Sequence, residues 1–311
     1  LTAITPSTPI TPITPIRWPL EAIWEVINGF TPALEGFTAE VLPSIDSTNS
    51  ELMRRFKGAP SIASRCEPTL LVAETQTAGR GRLGRQWHSQ RGDSLTFSLG
   101  MALEPLDWSG LSLVVGISIA ESLDDRLDEG LDAGQRLAPN ILLKWPNDLW
   151  MGKPGAERKL GGILVETATL DGHRYVVIGV GINIFGCINF GAAAPSTTGI
   201  PLGSLQDLFP ALDAPAALLR IVPKLVQNIQ AFAQFGFAPF QARFARRDVL
   251  AGRAVLLSDG LEGTAHGVGE NGALLVHTAA GMKEITSSEV SVRPVQANPA
   301  NKSANEGQRP C

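Results

Sequence analysis

The densest chemistry of the chain lies in the stretch Glu74-Thr75-Gln76-Thr77-Ala78-Gly79-Arg80-Gly81-Arg82-Leu83-Gly84-Arg85-Gln86-Trp87. Glycines 79, 81 and 84 are interleaved with Arg80, Arg82 and Arg85. Arginine brings a fixed charge and a planar fork of donors suited to phosphate or carboxylate. Glycine allows positive φ and close approach of the backbone to a ligand. Such a loop is a candidate anion clamp; its plain alternative is a solvated basic turn. The same letters satisfy G-x-G-x-x-G from Gly79 to Gly84. A dinucleotide site, however, needs an apolar-faced helix directly after the glycines. Residues 86–93 carry no helical apolar stripe, and the runs 70–73 and 94–101 both read as strands. The loop therefore joins strand to strand, and the dinucleotide reading is set aside.

Three more clusters could do chemistry. Asp46-Ser47-Thr48-Asn49-Ser50-Glu51 ends a short strand and opens a helix over 50–56. Thr48 and Glu51 stand at capping-box spacing, which is a sufficient structural account. Ser47, Thr48 and Asn49 also put hydroxyls, an amide and free backbone N–H groups at one helix start, where a polar ligand head could bind. Next, 141–150 reads as a strand running into the turn Lys144-Trp145-Pro146-Asn147-Asp148. Asn147 and Asp148 could simply initiate that turn; Asp148 could also hold a metal or deprotonate a nucleophile. Last, 159–166 and 175–184 read as strands paired through Leu170-Asp171-Gly172-His173. Glycines inside these strands mark close approach of a ligand or another backbone. Lys159, taken alone, reads as a surface lysine.

The elements that must position these groups fit one large domain or two smaller ones in 311 residues. The formal net charge of −4 gives no bulk attraction to nucleic acid or anionic membrane, so the arginines are a local feature. Cys66, Cys187 and Cys311 form no C-x-x-C pair and no disulfide framework, which fits a reducing, cytoplasmic setting. No apolar run is long enough for a bilayer, and the start carries no secretory pattern. Residues 1–20 form a Pro-rich leader, expected to be extended and disordered. A larger domain over 21–247 follows. It holds a short helix over 21–30, a buried helix over 111–127 and an amphipathic helix over 214–232. Over 248–295 short strands alternate with Asp-Gly, Glu-Gly and Asn-Gly turns, as in a small β-barrel, and 296–311 is a polar, disordered tail.

Taken together and in order, these stretches resemble bacterial-type biotin protein ligases. The landmarks are Asp46-Ser47-Thr48-Asn49, Gln76, Gly79 to Arg85, Trp87, Lys144-Trp145-Pro146-Asn147-Asp148, Lys159-Leu160-Gly161-Gly162-Ile163-Leu164-Val165-Glu166 and Gly179-Val180-Gly181-Ile182-Asn183. The resemblance covers about 41–294 and implies an α+β fold: a central mixed β-sheet with helices, plus a C-terminal SH3-like β-barrel. It implies ATP-dependent activation of biotin as biotinyl-5′-AMP, then transfer to one lysine of a biotin carboxyl carrier protein, an acetyl-CoA carboxylase subunit or similar. Joining two anions calls for cationic clamps and magnesium.

By the same resemblance Ser47, Thr48, Asn49 and Gln76 surround biotin's ureido ring. Arg80, Gly81 and Arg82 close over biotin and the adenylate. Lys159 reaches the carboxylate and phosphate region; Arg82, Arg85, Trp87, Lys144, Asn147 and Asn183 line the nucleotide; Asp148 lies by the incoming lysine. Lys159, Arg82 and Asp148 are the candidate catalytic residues, no residue is assigned as a resident metal ligand, and a homodimer is compatible with the family. The chain departs from the repressor-type members in having no helix-turn-helix pattern ahead of the first motif, so no DNA partner is expected. After the Gly-x-Gly-Ile-Asn strand, 185–208 contains Phe190 but no tryptophan to cover an adenine. Two rivals remain: a lipoate–protein ligase, similar in fold and chemistry, and a non-catalytic biotin-sensing or carrier-binding module. The arginine loop and Lys144-Trp145-Pro146-Asn147-Asp148 favour biotin, and retention of Lys159 and the arginines favours catalysis.

Overall fold

The strand SLTFSLGMA, β5 (Ser94–Ala102), divides the protein into two faces. Leu95, Phe97, Leu99 and Met101 enter the main core, while Ser94, Thr96, Ser98 and Gly100 lie opposite. Side chains alternate across a strand, so this pattern makes one apolar face and one small, polar face. The neighbouring β9 (His173–Asn183) repeats the division: Val176, Ile178, Val180 and Ile182 face the main core, and Gly179, Gly181 and Asn183 fall on the other side. The computed structural model describes residues 15–30, 34, 36–61, 67–124, 138–186, 200–286 and 292–294.

Around that pair a seven-stranded sheet is built from β1 (Thr38–Leu42), β2 (Thr69–Ala73), β5, β6 (Ile141–Lys144), β7 (Asp148–Met151), β8 (Arg158–Leu170) and β9, in the order β1-β2-β5-β9-β8-β7-β6. The β1–β2 pair is parallel and all others are antiparallel, so the sheet is mixed, as expected. A two-stranded ribbon, β3 (Gly79–Arg80) and β4 (Gln86–Trp87), carries the glycine–arginine loop. Helices α1 (Leu20–Phe30), α3 (Leu111–Leu123) and α4 (Ala214–Phe235) cover the apolar face. Helix α2 (Thr48–Gly58) covers part of the other, where Leu52 and Phe56 pack against Leu71, Tyr175 and Val177. The rings of Phe56 and Tyr175 stack 4.4 Å apart at 9°. Such a pair is worth about 0.5–1.5 kcal/mol beyond its burial, which helps hold α2 to the sheet.

The 141–150 run is a strand that enters a turn at Trp145 to Asn147, as expected, and the turn folds it into a hairpin that sets Lys144 opposite Asp148. Three expectations are corrected. Helix α3 stops at Leu123 rather than reaching 127. There the buried Asp124 is held by Arg247, which donates to its carboxylate at 3.0 Å and its carbonyl at 2.7 Å. The cap of α2 is Ser47, whose hydroxyl accepts from the Ser50 N–H at 3.4 Å, so the capping pair is not Thr48 and Glu51. Glu51 instead pairs with Arg54 and Arg55. Finally, Trp18, read as part of the disordered leader, packs on the core and donates its indole N–H to Glu74 at 3.2 Å. Residues 1–14, 187–199 and 295–311 lie outside the described residues, and with them most of the leader, Phe190 and the tail.

The glycine-punctuated C-terminal stretch forms a five-stranded antiparallel sheet from β10 (Ala254–Leu257), β11 (Glu262–Val268), β12 (Leu274–Thr278), β13 (Gly281–Ile285) and β14 (Val292–Pro294), in the order β13-β12-β11-β10-β14. Its inward residues Val255, Ala265, Leu274 and Val276 are continuous with the main core. Short α5 (Gln241–Ala245) leads into it.

Candidate active site

The polar face of the sheet is the floor of the site. Register sets Thr96, Gly181, Gly162 and Asp148 in one row across four strands, and Ser98, Gly179 and Leu164 in the next. The glycines are required by what comes down onto them. A Cβ on Gly179 would collide with the Asn49 carboxamide from α2, and one on Gly181 with the Trp87 indole from β4. The Trp87 indole therefore lies directly against the sheet at Gly181, under the ribbon that carries the loop.

At one end these elements build a neutral, hydrogen-bonding pocket. The Gln76 side-chain oxygen accepts from the Thr48 N–H at 2.8 Å, and the Gln76 N–H is fixed by the Ser89 hydroxyl at 2.7 Å. The Ser98 hydroxyl lies 2.6 Å from both the Thr48 hydroxyl and the Asn49 Oδ1. Asn49 donates through Nδ2 to Leu164 O at 3.2 Å and to Glu166 at 2.9 Å. The other Glu166 oxygen takes the Arg80 guanidinium at 2.7 Å, and Arg80 also reaches the Ser50 hydroxyl at 3.2 Å. Thr48 and Asn49 are buried. Ser47 belongs to the helix cap, and Gly81 closes the loop by donating its N–H to Arg85 O at 2.7 Å. Leu83 and Gly84 both take positive φ, so the tip of the loop is a tight left-handed turn.

At the other end cations outnumber anions. Lys159 Nζ is 2.7 Å from Asp148 Oδ1, and Lys144 Nζ is 4.0 Å from Oδ2. Arg82 donates to Asn147 Oδ1 at 3.4 Å, while Asn147 is itself pinned through Nδ2 to Ile163 O at 2.8 Å. Asn183 donates to Gly203 O at 3.0 Å and to Lys159 O at 3.4 Å, fixing the strand from which Lys159 projects. Burial pushes the Lys144 ammonium down to about 8; Asp148 opposes that shift, and Lys159, Arg85 and Arg82 add to it. Burial likewise lowers Arg82, again with Asp148 opposing and Arg85 adding. Buried positive groups that repel one another are stabilised by an incoming anion, so this end is built to receive phosphate or carboxylate.

Residues singled out on α2, on the β3–β4 ribbon and its loop, and on β6 to β9 thus meet over one face of the seven-stranded sheet, while Phe190 lies outside the described residues. Sequence reasoning missed Ser89 and Ser98, and quoted Glu166 within a motif without a role. The signal for Ser98 was present in the Ser94-x-Thr96-x-Ser98 alternation opposite the apolar set.

Fold and site together define a ligase that activates an acid and hands it to a protein. Residues 41–183 match the model of the Biotin/lipoate A/B protein ligase family, and 252–293 that of the Biotin protein ligase C terminal domain. The chain is 34% identical over 270 residues to the bifunctional ligase/repressor BirA of Escherichia coli (strain K12), a match covering 85% of this chain and 76% of BirA. It is 29% identical over 258 residues to the biotin–[acetyl-CoA-carboxylase] ligase of Paracoccus denitrificans, covering 80% and 98%. The solved biotin protein ligase from Aquifex aeolicus in complex with biotin and ATP superposes with a TM-score of 0.63 at 30% identity, covering 83% of this chain and 99% of that one. The chain belongs to the biotin protein ligase family. Among the described residues, no helix is long and apolar enough to cross a membrane.

Proposed function

We propose that this protein joins biotin to ATP as biotinyl-5′-AMP, releasing pyrophosphate, and then transfers the biotinyl group to a lysine of a biotin carboxyl carrier protein in the cytoplasm. The observation that carries the reading is the junction, on one sheet face, of a neutral donor–acceptor pocket and a cluster of Arg82, Arg85, Lys144 and Lys159 around the single carboxylate of Asp148. The rows that bear the two ends are two residues apart along each strand, about 7 Å.

The neutral pocket suits a ureido ring, which has both N–H donors and a carbonyl acceptor. The cationic end suits the ligand's carboxylate and the α-phosphate it attacks. Lys159 leaves its Asp148 contact or shares it as charge builds on the phosphorus oxygens, and Arg82 closes over the adenylate from the loop. In the second step the amine of the carrier lysine attacks the acyl carbon and AMP departs. Asp148 is the carboxylate placed to balance and deprotonate that amine. Among the described residues no group of three His, Cys, Asp or Glu side chains is placed to hold a metal ion. Magnesium accordingly belongs to the proposal as the companion of ATP, held chiefly by phosphate oxygens.

The test is incubation of the purified chain with ATP, magnesium and a biotin carboxyl carrier domain, with biotin in one arm and lipoate in the other. Biotin-dependent pyrophosphate release and a single biotinylated lysine are expected. Lipoate-dependent modification, or biotin binding without either product, would overturn the reading.

A further inference from the structure

Glu166 takes no part in the chemistry described above, yet it stands at the head of a hydrogen-bond chain that ends on the pocket. One carboxylate oxygen accepts from Asn49 Nδ2 at 2.9 Å, and Leu164 O accepts from the same nitrogen at 3.2 Å. Two pure acceptors on one side of the carboxamide allow a single orientation: the amine toward Glu166 and the oxygen toward Ser98. An amide oxygen cannot donate. The one Ser98 proton must therefore go to Asn49 Oδ1, 2.6 Å away.

The consequence passes to Thr48. Its hydroxyl is 2.6 Å from the Ser98 oxygen, too close for two oxygens without a proton between them. Ser98 has already spent its proton, so Thr48 donates to Ser98. Thr48 then has no proton left for Gln76 Oε1, and that contact is the longer one, at 3.2 Å. The Gln76 oxygen is satisfied by the Thr48 backbone N–H at 2.8 Å instead. The Thr48 hydroxyl is left able to accept and unable to donate.

We infer that Glu166 is a specificity-determining positioning residue: through Asn49 and Ser98 it fixes the hydrogen-bond direction of Thr48, so that the pocket takes an N–H donor and rejects an acceptor at that point. The inference rests on the biotin reading, because it assigns the Thr48 hydroxyl to a ureido N–H. Arg80 occupies the second Glu166 oxygen at 2.7 Å and so keeps the carboxylate facing the pocket.

The experiment compares two ligands by calorimetry without ATP: biotin, and an isosteric carbamate in which one ureido N–H is replaced by a ring oxygen. The wild-type chain, Glu166→Met and Ser98→Ala are measured, each checked for an intact melting transition. A site built around a ligand N–H rejects an analogue that lacks it, so wild type should prefer biotin by about a hundredfold or more. Ser98→Ala removes the partner that takes the Thr48 proton; Glu166→Met removes the shorter of the two contacts that orient Asn49, leaving Leu164 O at 3.2 Å, and so loosens the chain that directs that proton. The preference should fall below about tenfold, chiefly because the carbamate binds better relative to biotin. A merely structural role would weaken both ligands alike; an unchanged ratio in Ser98→Ala, which leaves Glu166 in place, or in Glu166→Met overturns the inference. If wild type binds neither ligand, the biotin reading itself falls; if it binds biotin and the ratio holds in the variants, only the role of Glu166 falls.

Discussion

Replacing Gly181 by alanine tests whether the arginine loop is seated by its tryptophan. The new Cβ would lie 2.6 Å from Trp87 Cζ2 and 2.9 Å from Cδ2. Carbon atoms rest about 3.5–4.0 Å apart, so the indole must retreat by roughly 1 Å. The floor cannot yield instead. Gly181 is hydrogen-bonded between β5 and β8, and its own carbonyl lies 2.6 Å from where a Cβ on Gly161 would sit. Trp87, by contrast, is carried by the short β3–β4 ribbon. Overpacking costs about 1–3 kcal/mol in a closed core; a movable ribbon should keep the loss of stability near 1 kcal/mol. The larger effect is displacement of Arg80 and Arg82, and a misplacement of about 1 Å can cost about a hundredfold in rate. Pyrophosphate release at limiting and saturating biotin, paired with a melting curve, separates the two effects. Gly29→Ala is the control, since a Cβ there meets nothing within 4 Å. Activity of Gly181→Ala within about threefold of wild type would refute the seating of Trp87.

Three other outcomes are expected. Lys159→Ala removes a charged donor 2.7 Å from Asp148 while Lys144 stays 4.0 Å from the other oxygen. Folding should survive, and adenylate formation should fall by about 1.5–3 kcal/mol or more, roughly ten- to over a hundredfold; near-normal pyrophosphate release would remove Lys159 from the mechanism. Trp145→Phe keeps the buried ring but deprives Gly272 O of its 3.1 Å donor, which should destabilise by about 1–3 kcal/mol, read as a lowered melting temperature. Burial raises the Asp248 carboxyl to about 6, against the backbone N–H of Leu250 and the charge of Arg253, which lower it. The folded state then holds the proton more tightly than the unfolded chain, so stability from this group is present at acid pH and lost as pH rises from about 4 through 6. Asp248→Asn should be more stable than wild type at pH 7 by about 1–3 kcal/mol and lose that advantage near pH 4; a pH-independent difference in melting temperature would contradict the assignment.

The parts of the site legible in the sequence are those in which chemistry is local. Gly79 to Arg85, Lys144 to Asp148 and Lys159 to Glu166 are contiguous, and each already combines the backbone freedom and the charge its task requires. What the sequence hid depends on distant partners. The end of α3 is set by Arg247, 123 residues beyond Asp124. The fate of Trp18 is set by Glu74, 56 residues on. The cap of α2 was displaced by one residue because Ser47 and Thr48 are both capping types, and only Gln76, which takes the Thr48 N–H, decides between them. Ser98 looked like an ordinary strand residue because alternation tells which side faces the core, and is silent on what lies over the other side.

The turn that carries Asn147 and Asp148 belongs to both structural units. Trp145 is fully buried and donates to Gly272 O, in the tight turn between β11 and β12. Gly272 has φ +78°, and a Cβ there would lie 2.7 Å from Gly110 Cα. Gly110, at φ +83°, in turn has the Phe237 ring where its own Cβ would be, 2.6 Å from Cγ. Two glycines in left-handed conformation thus let the C-terminal turn that meets the Trp145 indole pack on the start of α3, and the start of α3 on the segment after α4. Any larger residue at either glycine must separate them. The carboxylate that Lys159 grips lies three residues past that indole, so the small C-terminal sheet acts on the site by fixing the hairpin from behind. A change confined to Gly272 should consequently be felt at Asp148 without any C-terminal side chain touching a substrate.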